Sequence, residues 1–405
     1  MASLLSRAAI AGAVVIGVLY QFLFKSLIFD TLGYGRTLRS LGDFPNVQCQ
    51  KVVEPGLEAC EDMWLHDVTG ILYMACASTA RSSFWVPAVD RLNASGRGSA
   101  DGIWTLDTRA SGPVSSRLKK LAVEGFPGNK GDASFSIHGI DIRANKHTDV
   151  LQIMLINHRP PFNPVTGEEL DVSKIGANST IEQFQTTFGS DRMRHVRTYA
   201  HDAIETPNRV AWVNDHAFVF TNDHSGKVGL RRHLDPLLGG GSVGYCDRSR
   251  CQIAKQFGRD FALPNGLVYT NNLAYVPSTL TGEIRVLKLN AQQPPTLEDV
   301  ETIKVPFGMD NLSVDKDGNI FAAAFPKLHQ LVRHFDDPTN NKASTTVFKV
   351  TPNSIGNGDS YEVVTVMEDN GDILPAATVA IHDAKTGRVF LGGVGSPYIA
   401  ICETR

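Results

Sequence analysis

The sequence predicts an all-β chain: a six-bladed β-propeller behind an N-terminal hydrophobic anchor helix. Three observations predict it. A long uncharged apolar stretch opens the chain, at residues 9–24. Six short apolar runs bounded by turn signals follow it. Just upstream of each run lies a second strand signal that begins with a polar head.

Composition sets the bounds first. At about 150 residues per domain, the length allows one large domain or two to three ordinary ones. The 405 residues are 42% apolar and 20% charged, so a sizeable core is available and wholesale disorder is ruled out. The formal net charge of −3 argues against a nucleic-acid binder, which carries a basic excess. Gly 36 and Pro 20 are near-average usage, so the chain is not low-complexity. Six Cys are too few for a disulfide-built scaffold and leave room for one to three bridges.

The first element is AIAGAVVIGVLYQFLF (9–24), flanked by Arg7 and Lys25 and continued by SLIF to Phe29. A spanning helix needs about 20 apolar residues and a signal core about 7–15, so the stretch falls between them. Its small residues lie at its start rather than its end, where cleavage needs them. Residues 1–30 therefore read as an uncleaved signal-anchor, with a cleaved signal peptide and a buried core helix as alternatives. Residues 31–48 read as a linker, and 49–405 as the propeller. With Arg7 inside, the remainder lies in the secretory lumen or outside the cell, although Lys25, Arg36 and Arg39 weaken the charge rule. An oxidising compartment permits disulfides. A bridge from Cys49 to Cys402 would close almost the whole domain. The sequons at Asn93 and Asn178 suit glycosylation there.

The six runs are GILYMACAS (70–78), VLQIMLINH (150–158), HAFVFTNDH (216–224), LAYVPS (273–278), GNIFAAAFP (318–326) and GRVFLGGVG (387–395). Their heads are CEDMWL (60–65), IHGIDI (137–142), PNRVAWV (207–213), PNGLVY (264–269), MDNLSV (309–314) and AATVAI (376–381). Polar turns such as HDVTG (66–70) and DKDGN (315–319) join strands into hairpins. Six hairpins of one design, centred roughly 45–80 residues apart, are spaced like four-stranded blades. A large β-sandwich or stacked barrels would not repeat a polar head at every unit.

In a propeller the innermost strands line a central channel, so heads spread from residue 60 to 380 become neighbours. They carry Glu61, Asp62, His138, Asn208, Asn265, Asp310 and Asn311, and the second run of the third blade ends in Asn222 and Asp223. Each alone also suits a turn cap. Together they form an oxygen-rich set that selects Ca²⁺ over softer metals. Buried without an ion, such groups would repel one another or stay unsatisfied.

These motifs resemble those of the paraoxonases, the calcium-dependent lactonase and arylesterase family. The resemblance covers roughly residues 49–405. It rests on CED (60–62), IHGI (137–140), INH (156–158), TNDH (221–224), PNG (264–266), DNLSVD (310–315) and the terminal Cys402-Glu403. It implies two calcium ions in the channel. One, catalytic, would be held by Glu61, Asn222, Asn265, Asp310 and Asn311. The other, structural, would be held by Asp62, Asp223 and the Ile140 carbonyl. It further implies His138 and His158 as the channel histidine pair, a Cys49–Cys402 disulfide, and an N-terminal segment that associates with a membrane or lipid surface. One departure concerns the pocket: Phe325, in AAAFPKL (322–328), stands where the animal enzymes place a histidine.

The expected chemistry is hydrolysis of lactones or aryl esters. A calcium ion polarises the carbonyl, and water is activated by His138 with His158 orienting it. The alternatives are a non-hydrolytic enzyme of the strictosidine-synthase type, or a binding propeller with structural calcium. Asn311-Leu-Ser313 is formally a sequon, but a calcium ligand inside the channel carries no glycan. Cys60 and Cys76 read as buried free thiols, because a bridge between adjacent strands is usually strained. Cys246 and Cys251 read as a local disulfide or two free thiols.

Overall fold

Six sheets follow one another along the chain, each begun by one of the polar-headed strands and antiparallel except for one parallel edge strand in the second. The computed structural model describes residues 2–98, 100–128, 133–145, 147–290, 292–353 and 360–404. Blade 1 contains Asp62–His66, Ile71–Cys76, Gly102–Asp107 and Leu118–Lys120. Blade 2 contains Ile137–Ala144, Val150–Arg159, Asn178–Thr187 and Arg192–Tyr199, with Ala122–Glu124 added at its outer edge. Blade 3 contains Pro207–Asn214, Ala217–Asn222, Ser242–Asp247 and Cys251–Gln256. Blade 4 contains Val268–Thr270, Leu273–Pro277, Glu283–Asn290 and Thr296–Lys304. Blade 5 contains Met309–Val314, Ile320–Ala324, Thr345–Pro352 and Tyr361–Asp369.

Blade 6 is built from both ends of the domain. Val379–Asp383, Arg388–Gly392 and Ile399–Thr404 come from the carboxyl end, and Val47–Val52 adds the fourth strand. Cys49 lies directly opposite Cys402 in that pairing, and the two form a disulfide. The innermost strands of successive blades touch in a closed ring, with blade 6 returning to blade 1. Closure removes the exposed sheet edges that an open array would present.

Burial explains why the heads were legible. The inner strands are packed on both faces, as in Pro207–Asn214, where six consecutive residues are buried. Such strands read as unbroken apolar runs. Outer strands such as Arg192–Tyr199 bury only Met193 and alternate weakly. The apolar clusters lie between neighbouring blades; one packs Tyr73 and Ile103 of blade 1 on Ile140, Leu155 and Phe184 of blade 2.

Cys60 and Cys76 form a disulfide, which corrects the expectation of free thiols. That expectation rested on strain between paired strands. Adjacent antiparallel strands already bring facing Cα atoms close together, and Cys246–Cys251 bridges two directly opposed residues. Cys60 also lies outside the regular pairing, which begins at Asp62–Ala75. Ala59 before it takes a left-handed conformation, φ 43°, and the Cα atoms of Cys60 and Cys76 come within 3.9 Å.

At the amino end, a helix over Ala2–Leu19 continues through wider turns at Tyr20–Phe24 and Leu27–Thr31. Residues Ala9–Thr31 are long and apolar enough to cross a membrane, and no buried residue lies in their apolar window.

Candidate metal centre

The heads reach the axis by two backbone devices. In blades 2, 3 and 5 the inner strand carries one extra residue against its neighbour at its first turn. Ile137 to Ile140 spans Asn157 to Leu155, Pro207 to Val210 spans Asn222 to Phe220, and Met309 to Leu312 spans Ala324 to Ala322. A bulge re-aims the side chains within it. The residues inside are His138-Gly139, Asn208-Arg209 and Asp310-Asn311. In blades 1, 4 and 6 a non-glycine residue in the left-handed region stands two positions before the head residue: Ala59 before Glu61, Leu263 before Asn265, Ala376 before Thr378. Such conformations cost on the order of 1–3 kcal/mol each and collect at functional sites.

Two glycines let neighbouring heads approach. A Cβ on Gly266 would lie 1.8 Å from Asn311 Oδ1, and one on Gly139 would lie 2.4 Å from the Asn208 carbonyl oxygen. The PNG and IHGI motifs thus owe their glycines to close backbone contact.

Five oxygen-bearing side chains meet at the axis. Asn311 Nδ2 donates to Glu61 Oε1 at 2.7 Å and to the Glu61 carbonyl at 3.2 Å. Thr378 Oγ1 donates to the same carbonyl at 2.8 Å. Asn265 Nδ2 donates to Thr279 Oγ1 at 2.9 Å. Each amide nitrogen is thereby anchored, so its oxygen faces the opposite way. Glu61 Oε2, Asn208 Oδ1, Asn265 Oδ1 and Asn311 Oδ1 are all buried without a hydrogen-bond partner. Asp310 lines the same cavity as Glu61, Asn208 and Asn265. Burial pushes the Glu61 carboxyl up to about 7. Burial, and then the charges of Glu61 and Asp62, push Asp310 well above the usual carboxylate range.

Four orphaned oxygens beside a carboxylate are costly unless something binds them. The set is two carboxylates and three carboxamides, all hard oxygen donors, and its charge matches a divalent cation. It fits calcium. Among the described residues no cluster of three or more His, Cys, Asp or Glu could hold a metal by those residue types alone. Here the carboxamides complete the set.

The histidines stand beside this floor. The rings of His138 and His158 are 5.0 Å apart. His138 Nε2 lies 3.4 Å from Asn208 Nδ2 and 3.8 Å from Glu61 Oε1. His158 Nδ1 is held by Ser179 Oγ at 2.8 Å, and Trp85 Nε1 donates to the His158 carbonyl at 2.9 Å. His138 Nδ1 and His158 Nε2 lack partners. Burial lowers His138 to about 4 and His158 well below the usual range. Both imidazoles are therefore neutral near pH 7. Asp223 acts to raise the His138 value. Burial opposes its ionisation, but His224 Nδ1 at 2.7 Å and the Arg232 charge hold it below the usual carboxylate range.

The other expected ligands are placed differently. Asn222 is not at the axis. Its Oδ1 accepts from the Glu205 and Thr206 N–H groups at 3.0 and 2.9 Å, and its Nδ2 donates to the Ala203 carbonyl at 2.9 Å and Ser242 Oγ at 3.0 Å. Asn208 lines the axial cavity instead, with its Oδ1 buried and unpartnered. The sequence placed Asn208 among the heads without giving it a role. The signal was position: Asn208 and Asn265 each follow a proline at the head of a blade, as Asp310 follows Met309, whereas Asn222 closes a second strand.

The residues expected to hold a second ion have protein partners. Asp62 Oδ2 pairs with Arg209 Nε at 2.9 Å and accepts the Ile140 N–H at 2.8 Å; its Oδ1 accepts the Met63 N–H at 2.8 Å. Asp223 belongs to the histidine side of the cavity. Asp62 and the Ile140 N–H are therefore engaged with one another and with Arg209.

Above the floor the cavity wall is apolar: Val86, Phe325, Leu331, Phe335 and Val394. Asn93 and Asn178 are exposed, whereas Asn311 is fully buried.

The arylesterase family model matches residues 168–397. Serum paraoxonase/arylesterase 2 of Gallus gallus is 27% identical over 268 residues, 64% of this chain and 67% of that protein. The Homo sapiens protein of the same name is 25% identical over 257 residues, 62% of this chain and 65% of its own. Serum paraoxonase/arylesterase 1 of Mus musculus is 24% identical over 296 residues, 72% and 74% of the two chains. The matched stretch thus spans about two thirds of the first two relatives. A solved gluconolactonase from Xanthomonas campestris aligns with a TM-score of 0.46 at 12% identity, covering 94% of this chain and 93% of that one.

Proposed function

The chain belongs to the arylesterase family, and from that premise we propose that it is a calcium-dependent hydrolase of lactones and aryl esters. The observation that carries the reading is the group of orphaned oxygens on Glu61, Asn208, Asn265 and Asn311 beside Asp310. These five residues would hold the ion. A calcium ion bound there supplies polarisation of the ester carbonyl and stabilisation of its oxyanion.

The protein's own groups do the rest. Neutral His138, at the edge of the floor, accepts a proton from the attacking water, and Asp223 stabilises the resulting imidazolium. His158, fixed by Ser179, keeps the His138 ring in place. The apolar wall around Phe325, Leu331 and Phe335 suits a substrate whose one polar group is the reacting carbonyl. The helix over Ala9–Thr31 anchors the propeller to a membrane or lipid surface, on the lumenal or extracellular side, where the three disulfides are stable. Exposed Asn93 and Asn178 are the glycan acceptors.

The test is hydrolysis of a phenyl ester and an aliphatic lactone, with and without a calcium chelator. Activity that disappears with chelator and returns with calcium supports the reading. A folded, calcium-saturated protein that hydrolyses neither overturns it in favour of a binding propeller.

A further inference from the structure

The resemblance implies two calcium ions, and the axis of this chain supplies an internal cation where the second is expected. We propose that the protein binds one calcium ion per chain, and that the Arg209 guanidinium occupies the charge position of the other. The proposal rests on the calcium reading above for its one ion.

Arg209 lies in the bulge of blade 3, next to the ligand Asn208. It is buried, with Nε 2.9 Å from Asp62 Oδ2. Its Nη1 donates to the Leu312 carbonyl, the residue after the ligand pair Asp310-Asn311. One guanidinium therefore ties the heads of blades 1, 3 and 5 together. Its positive charge acts on four carboxylates: buried Glu61, Asp62 and Asp310, and half-buried Asp141. That is the work a structural divalent ion would do at the same place.

Three features exclude an ion there as well. Both oxygens of Asp62 already have partners, the guanidinium and two backbone N–H groups. The group of Ile140 that meets Asp62 is its N–H, a donor that repels a cation. A divalent ion beside a buried guanidinium would add like-charge repulsion in a low-dielectric site. The two backbones also approach closely at this point. A Cβ on Gly139 would lie 2.9 Å from Arg209 Cα and 3.2 Å from its Cγ, so only glycine leaves room at that blade junction.

The test measures bound calcium per chain by equilibrium dialysis and elemental analysis of the intact protein. One equivalent is expected. Two equivalents overturn this proposal and leave the proposed hydrolase standing; none overturns both. Asp62→Asn should still bind one equivalent, because that carboxylate holds a guanidinium, and loss of an equivalent in a folded Asp62→Asn protein is contrary evidence. Arg209→Asp removes the internal cation and adds a carboxylate beside Asp62, so the variant should need an added cation there and its stoichiometry should rise from one to two if the guanidinium is what takes the second ion's place. A folded Arg209→Asp protein that stays at one also overturns the assignment.

Discussion

Asn311 and Glu61, 250 positions apart, are joined at 2.7 Å by an amide that donates to one carboxylate oxygen and leaves the other without a partner. The bond orients both residues: Glu61 Oε2 and Asn311 Oδ1 are left for a cation. Glu61→Gln removes one of the two carboxylates of the set. Calcium affinity should fall by at least about 10-fold, and ester hydrolysis should recover partly when calcium is raised. Isothermal titration together with a calcium-dependence assay checks this; unchanged affinity would remove Glu61 from the site.

Asn208 and Asn222 should separate binding from folding. Asn208→Ala deletes an orphaned oxygen, so it should weaken calcium binding with little cost in stability. Asn222→Ala deletes four hydrogen bonds that hold the end of blade 3. Stability should drop by about 1–3 kcal/mol, with calcium affinity retained in the folded fraction. Denaturant melts and calcium titrations of both variants decide the assignment, and the opposite pattern would return Asn222 to the ligand set.

The contribution of His138 to stability should fall on acidification. Burial lowers His138 to about 4 in the folded chain, against about 6.5 unfolded. Above pH 6.5 both states hold it neutral, so the full stability is present. As pH falls toward 4 the unfolded chain takes up the proton first, and the fold loses at most about 3 kcal/mol. Denaturation of calcium-saturated protein at pH 7.5 and 5 measures the loss. His138→Gln should show a smaller loss, and an equal one would count against a neutral, buried His138.

Gly139→Ala should harm the site without touching a ligand. The added methyl would meet the Asn208 carbonyl oxygen at 2.4 Å and Arg209 Cα at 2.9 Å, both backbone atoms that cannot step aside cheaply. A cost of about 1–3 kcal/mol is expected from such overpacking, together with weaker calcium binding through displaced Asn208. Wild-type stability in this variant would mean that the blade junction is looser than described.

The Cys49–Cys402 bridge closes a loop of 353 residues. Replacing both cysteines by Ala should cost about 2–5 kcal/mol by releasing the unfolded chain. The closing strand pair Val47–Val52 and Ile399–Thr404 should open first. Hydrogen exchange in these strands, rising before that of blades 2 to 4, would show it.

Local pattern reached far in this chain. Each of the six polar heads opens a blade, and each apolar run is the second strand of its hairpin, because alternation, turn residues and double-sided burial are recorded in neighbouring positions. Glu61, Asn265, Asp310, Asn311, His138 and His158 could be gathered on paper for the same reason, and the glycines of PNG and IHGI marked where backbones must touch.

What the sequence by itself determined about this protein is the number and order of its repeating units, its apolar leader and the oxygen chemistry of its axis. Only the tertiary structure decided which oxygens face that axis. One extra residue in an inner strand turns Asn208 inward, while Asn222, one strand away, spends its amide on backbone groups. Only the tertiary structure, too, brought Cys60 to Cys76 and laid Arg209 against Asp62. The physical reason is that a side chain's direction at a bulge or a left-handed turn, and the partner it meets across blades, depend on groups scores to hundreds of residues distant, and no local spacing carries that information.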